Sequence, residues 1–83
     1  MRLDKYLKTT RLIKRRTIAQ QLAKNNRIFR NGYSLKPSTE IRPGDELEIF
    51  YGSRYLKIRV VDEKRYEILE DKKFWGDNNE KFD

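Results

Sequence analysis

At 83 residues and 10.1 kDa, the chain has room for one small domain, which excludes a multi-domain enzyme. Twenty Lys and Arg against 13 Asp and Glu give a net charge of +7 and an isoelectric point near 9.8, so the expected partner is an anion. The absence of Cys and His excludes disulfide frameworks, thiolate zinc sites, Cys nucleophiles and imidazole acid–base chemistry.

Along the chain, Leu3, Tyr6, Leu7 and Thr10 follow the i, i+3, i+4, i+7 spacing of a short helix, with Arg2, Lys5 and Lys8 on its other faces. The charges in Met1 to Tyr6 stand where a secretory signal needs an apolar stretch, and no run approaches the ~18 apolar residues of a membrane span, so a cytosolic chain without membrane contact is expected. Thr17 and Gln20 form a capping-box pattern ahead of the apolar stripe Ile18, Ala19, Leu22 and Ala23, which predicts a second helix from Thr17 to about Lys24. Asn25-Asn26 closes it, because Asn tolerates the left-handed conformation. Arg11 to Arg16 then lie at the junction of the two helices.

Arg27–Arg30 and Tyr33–Leu35 flank Asn31-Gly32, the dipeptide suited to a type I′ turn, and predict a hairpin. Lys36 to Glu46 reads as loop, with Ile41 as an anchor and Pro43-Gly44 as a tight bend before a strand. Leu47, Ile49 and Tyr51 alternate with polar or outward positions, and after Gly52-Ser53 the alternation resumes at Leu56, Ile58 and Val60, predicting a second hairpin. Tyr6 and Tyr51 are assigned to the core. Tyr66–Leu69 suggests a last short strand, and Glu70–Asp83 a fraying charged tail in which Phe74-Trp75 docks on the body. The expected architecture is α+β, with two short N-terminal helices packed on a small antiparallel sheet of hairpins. Its domain spans residues 1–69 and the tail residues 70–83.

Charge is unevenly divided. Through Lys36 there are eleven basic residues and one acid, net +10; the remainder has nine basic and twelve acidic, net −3. Such one-signed clustering repels itself, and a polyanion relieves that cost with release of condensed counterions. Nucleic acid fits better than an anionic membrane, since the apolar residues are committed to a core. Arg2, Arg11, Arg15 and Arg16 suit forked phosphate contacts, while Lys5, Lys8 and Lys14 add mobile point charges. Asp4, alone in this field, has no His or second carboxylate to act with as general acid or base, and is assigned to orienting Arg2 or Lys5, to compensating the N-terminal end of the first helix, or to nucleic-acid positioning. Asp45-Glu46 reads as turn residues, not a metal site, and no cofactor is expected. Among the aromatics, Phe29 and Tyr33 flank the hairpin tip, the position from which a ring could stack on a base, although a structural role is favoured for them.

The opening Arg2-Leu3-Asp4-Lys5-Tyr6-Leu7-Lys8, the following Arg11-Leu12-Ile13-Lys14-Arg15-Arg16-Thr17, the Asn-Gly hairpin and the Pro-Gly-Asp turn together resemble the RNA-binding domain named after ribosomal protein S-four, over roughly residues 1–61. Among its members the chain is similar to the stand-alone bacterial proteins of the heat-shock protein fifteen and RqcP type, and Tyr66–Glu70 resembles their short terminal element. The resemblance implies a non-enzymatic, monomeric factor of ribosome-associated quality control. It implies binding to the obstructed large ribosomal subunit through ribosomal RNA and peptidyl-tRNA, in support of alanine tailing by a partner, RqcH. The RNA-contacting surface it implies falls on Arg2, Asp4, Lys5, Arg11, Lys14, Arg15, Arg16 and Thr17, to which the charge pattern adds Lys8. Arg30 and Phe29 depart from the family pattern at the hairpin, and Asn26 replaces a customary Gly. The alternatives are a general structured-RNA or ribosome-assembly protein, or an accessory domain of an RNA-modifying enzyme.

Overall fold

The alternating residues of the second half pair into one antiparallel sheet, seen in a computed structural model whose described residues are 1–73. Helices α1 (Leu3–Thr9) and α2 (Arg16–Lys24) precede strands β1 (Ile28–Arg30), β2 (Tyr33–Ser34), β3 (Glu46–Tyr51), β4 (Arg54–Val60) and β5 (Tyr66–Lys73). The strand order is β2-β1-β3-β4-β5. Leu3, Tyr6 and Leu7 of α1 and Ala19 and Ala23 of α2 share a buried cluster with Ile28, Leu47, Ile49, Leu56, Ile58 and Val60 from one face of the sheet. The small alanines let α2 approach closely. Ile41, the expected loop anchor, is buried in the same cluster, as are Ile13 and Leu35.

Turn chemistry fixes the strand connections as expected. Asn31 and Gly32 have φ of 54° and 81°, which a type I′ turn requires, and Arg30 pairs with Tyr33 across it. Asp45 N–H donates to the Arg42 carbonyl at 3.0 Å and Gly44 takes φ 93°, the type II geometry that Pro43 and Gly44 favour. Asn26 sits at φ 60° past the end of α2, so it replaces Gly without disrupting the helix end.

Three expectations need correction. α2 starts at Arg16, and its N-cap, Arg15, makes no side-chain cap hydrogen bond, so there is no capping box. The Gln20 amide donates instead to the buried Asp4 carboxylate at 3.0 Å, a charged acceptor shielded from water and stronger than any exposed backbone group nearby. Tyr51 is 44% exposed, because the end of β3 runs past the helices that would cover it. β5 extends through Lys73, so the expected boundary at Leu69 falls inside a strand. The strand continues past a register shift opposite Lys57/Ile58, pairing with β4 as far as Lys73, and Arg54 grips Asp71 there through two hydrogen bonds of 3.0 and 2.7 Å. Phe74-Trp75 and the rest of the expected tail lie outside the described residues.

Arg30, the departure at the hairpin, has a structural task. Its Nη1 donates to the Glu40 carbonyl at 3.0 Å and to Asp45 Oδ2 at 2.9 Å, tying β1 to the loop before β3. That loop in turn serves α1, whose N-terminal N–H groups have no partner within the helix. Leu3 N–H donates to the Thr39 carbonyl at 2.9 Å and Asp4 N–H to the Pro37 carbonyl at 3.1 Å.

The other side of α1 is pinned by Tyr6, whose hydroxyl donates to the Arg65 carbonyl in the β4–β5 connection. Burial, with Asp62 and Tyr66 adding to it, pushes this phenol up to about 12. Tyr6→Phe keeps the ring and leaves the carbonyl without its donor. It is expected to lower unfolding free energy by about 1–2 kcal/mol in urea titrations, with little change in the denaturant slope.

Candidate nucleic-acid interface

The basic face is organised around the one acid within it. Asp4 has no exposed surface, and its carboxylate gathers donors from both helices. Oδ1 accepts from Arg2 Nε at 3.1 Å and Lys5 N–H at 2.7 Å. Oδ2 accepts from Arg2 Nη2 at 3.2 Å, Arg16 Nε at 3.3 Å and Gln20 Nε2 at 3.0 Å. Burial pushes the carboxyl up, but the hydrogen bonds from Gln20, Arg2, Arg16 and the Lys5 N–H outweigh it and hold Asp4 below the usual carboxylate range. It is therefore ionised at neutral pH.

This geometry leaves the arginines partly free. Arg16 engages Asp4 through Nε and Arg2 through Nε and Nη2, so Arg16 keeps both terminal nitrogens and Arg2 keeps Nη1 for an external anion. Their side chains are 49% and 45% exposed for Arg2 and Arg16 respectively. Fixing each guanidinium before binding reduces the rotamer entropy lost on forming a phosphate contact.

Of the residues expected to contact RNA, Arg2, Lys5, Lys8, Arg11, Lys14, Arg15, Arg16 and Thr17 are exposed, spread over α1, the connecting segment and the first turn of α2. Asp4 is the exception. Zero exposure removes it from the contact surface, and it acts by holding Arg2 and Arg16. Gln20 is the residue sequence reasoning missed: its capping-box spacing concealed a bond that crosses between helices. Phe29 packs on the sheet, its ring edge-on against Phe50 at 5.8 Å, and Phe50 meets Tyr55 at 5.1 Å. Tyr33 remains 77% exposed at the hairpin.

Cations on the two halves are treated differently. Among the described residues, Lys5, Lys8, Arg11, Lys14 and Arg15 make no ion pair, whereas Arg54, Arg59 and Arg65 pair with Asp71, Glu67 and Asp62 at 2.7, 3.0 and 2.7 Å. Five unpaired cations thus follow one another along α1 and the helix junction, and Lys24, Arg27 and Lys36 extend the unpaired series along the first half of the chain. Arg11 is further set apart by φ 62°, a left-handed conformation unusual for a residue with a Cβ, closed by its N–H donating to the Lys8 carbonyl at 3.0 Å.

Comparison with known proteins places the chain in a family. The S4 domain family matches residues 1–47. A Listeria innocua protein named RQC P-site tRNA stabilizing factor is 50% identical over 60 residues, covering 72% of this chain and 65% of that protein, so the match spans just under two thirds of that relative's length. The Bacillus subtilis protein of the same name is 47% identical over 64 residues, covering 77% of this chain and 74% of that protein. The structure of Heat Shock Protein 15 from Vibrio cholerae superposes with a TM-score of 0.72 at 24% identity, covering 82% of this chain and 80% of that one, and shares the fold.

Two substitutions probe the site. Removing one member of a buried ion pair costs ~3–5 kcal/mol; with both guanidiniums nearly half exposed, Asp4→Asn is expected to cost about 2 kcal/mol. Because the Asp4 pKa is lowered on folding, its stabilisation is full above the ordinary carboxylate range and lost as pH falls through the lowered value. Urea unfolding at pH 7 and pH 3 should therefore show a smaller acid-induced loss in Asp4→Asn than in the unaltered chain. Arg11→Gly relieves the left-handed conformation, worth roughly 1 kcal/mol, while deleting a charge. Its thermal midpoint is expected to be unchanged or higher, and its affinity for RNA lower.

Proposed function

Because the chain belongs to the S4 domain family, and within it to the family of RQC P-site tRNA stabilizing factors, we propose that it is an RNA-binding quality-control factor that holds tRNA in the P site of an obstructed large ribosomal subunit. The observation that carries this reading is the Asp4 clamp, which presents Arg2 and Arg16 with free guanidinium nitrogens among cations that have no ion-pair partner in the described residues. Phosphates of ribosomal RNA and of peptidyl-tRNA meet this face. Arg2, Arg11, Arg15 and Arg16 set the geometry of contact, and Lys5, Lys8 and Lys14 add affinity through counterion release.

In this role the protein is a scaffold and performs no chemistry itself. Asp4, the acid nearest the RNA face, is saturated with donors and has no free oxygen edge directed at a substrate. Positioning the tRNA supports C-terminal alanine tailing of the stalled chain by RqcH. The factor acts as a monomer in the cytoplasm, and no helix among the described residues is long and apolar enough to cross a membrane.

Binding to purified large subunits should fall steeply with salt, the logarithmic slope being roughly 0.7–0.9 per phosphate neutralised. Arg15→Ala, which removes no ion pair of the described fold, is expected to weaken binding about tenfold, and Lys73→Ala hardly at all. Equal losses from both would put the RNA on another face. In a reconstituted tailing reaction with RqcH, Asp4→Asn should lower subunit occupancy and alanine addition together. Loss of tailing at unchanged occupancy would restore a chemical role for this carboxylate.

A further inference from the structure

Beyond the helix junction, an open recess lies where the end of α2 faces β2 and the loop that follows it. Its polar lining is Arg2, Lys24, Asn26, Ser34, Lys36 and Ser38, over a floor that includes Leu35 and Ala23, and no acidic residue lines it. Lys24 and Lys36 are exposed and make no ion pair among the described residues. The volume, about 510 Å³, admits a phosphate with its ribose and is within the roughly 300–1,000 Å³ of small ligand clefts.

We propose that this recess is a second RNA-backbone station, binding one phosphodiester between Lys24, Lys36 and Arg2 with the adjoining ribose against Ser34 and Ser38. The inference rests on the RNA-binding reading above and extends the RNA path past the residues assigned so far. Arg2 connects the two stations. Its Nε and Nη2 are held on Asp4, the group that also holds Arg16, while the same side chain lines the recess. Asn26 supplies a further donor: Ser34 Oγ donates to its Oδ1 at 2.7 Å, which leaves the amide N–H groups for an anion and the Ser34 oxygen lone pairs for a ribose hydroxyl.

The main electrostatic objection is the helix end, since the C-terminus of α2 carries partial negative charge. That charge is largely spent. The Gln21, Leu22 and Ala23 carbonyls accept from the N–H groups of Asn25, Arg27 and Asn26 at 2.9, 2.9 and 3.2 Å, and Lys24 stands in the last turn. Three cations without a lining acid therefore outweigh the helix terminus, and the serines and the Asn suit a sugar–phosphate better than a protein carboxylate alone.

The test compares two double variants of equal charge loss in the full chain, Lys24→Gln/Lys36→Gln and Lys64→Gln/Lys73→Gln, by titration onto purified large ribosomal subunits over a salt series. Circular dichroism checks that both remain folded. The recess pair is expected to lower the logarithmic salt slope by roughly 0.7–0.9, as for one lost phosphate contact, with at least a tenfold loss of affinity at low salt; the control pair should change the slope by less than about 0.3. If the unaltered chain binds with a steep slope and the two pairs behave alike, the recess assignment is overturned and the junction surface stands. If the unaltered chain binds without salt dependence, the functional reading itself fails, and this assignment with it.

Discussion

The buried carboxylate of Asp4 is the interaction on which the arrangement of the basic helix face depends. It lies at the start of α1 and accepts hydrogen bonds from Arg16 and Gln20 of α2, so it joins by polar contacts two short helices that also share an apolar core. An unpaired buried charge would be prohibitive, and here each oxygen has at least two donors. The same contacts that make the charge tolerable set the direction of the two guanidiniums. Cohesion between the helices and presentation of the binding groups are one set of bonds, so this acid cannot be exchanged for an apolar residue without disarming the surface.

Around that centre the fold separates charge by purpose. On the sheet, cations sit opposite carboxylates on neighbouring strands: Arg59 between Glu46 and Glu67, Arg54 on Asp71, Lys57 near Glu46. These exposed pairs add little stability singly, but they leave the sheet face close to neutral. At the helix junction the repulsion among cations is left standing within the described residues. Clustered cations of one sign raise the local attraction for a polyanion on that part of the surface.

Much of this organisation was legible in the sequence, and what was not has physical causes. The Asn31-Gly32 and Pro43-Gly44 turns follow from backbone preferences that belong to the residues themselves, and the core positions of β3 and β4 follow from strict alternation. The location of the basic cluster needed only counting. What escaped were bonds between distant segments. Gln20 satisfies a local capping pattern, and nothing in its neighbourhood reveals that a buried acid on another helix takes its amide. Tyr51 alternates like a core residue, yet alternation does not report where the covering helices end. The polar reading of Glu70–Lys73 was correct as composition and misleading as structure, because an edge strand is held by its ladder and by the Arg54–Asp71 pair without needing apolar residues.

The loop between β2 and β3 carries a consequence for the order of events during synthesis. α1 has seven residues, too few to persist as an isolated helix in water, and its leading N–H groups are satisfied by the Pro37 and Thr39 carbonyls. That loop is held in turn by Arg30 bonded to Glu40 and Asp45. A nascent chain that has exposed only its first two helical segments therefore carries eight of the eleven basic residues found through Lys36 without the geometry that fixes them. The fixed geometry of Arg2 and Arg16 waits until the hairpin and the turn at Pro43-Gly44 have emerged and closed on the N-terminus, so the basic helices acquire their defined arrangement only after the segments that support them, which follow them in chain order, have been made.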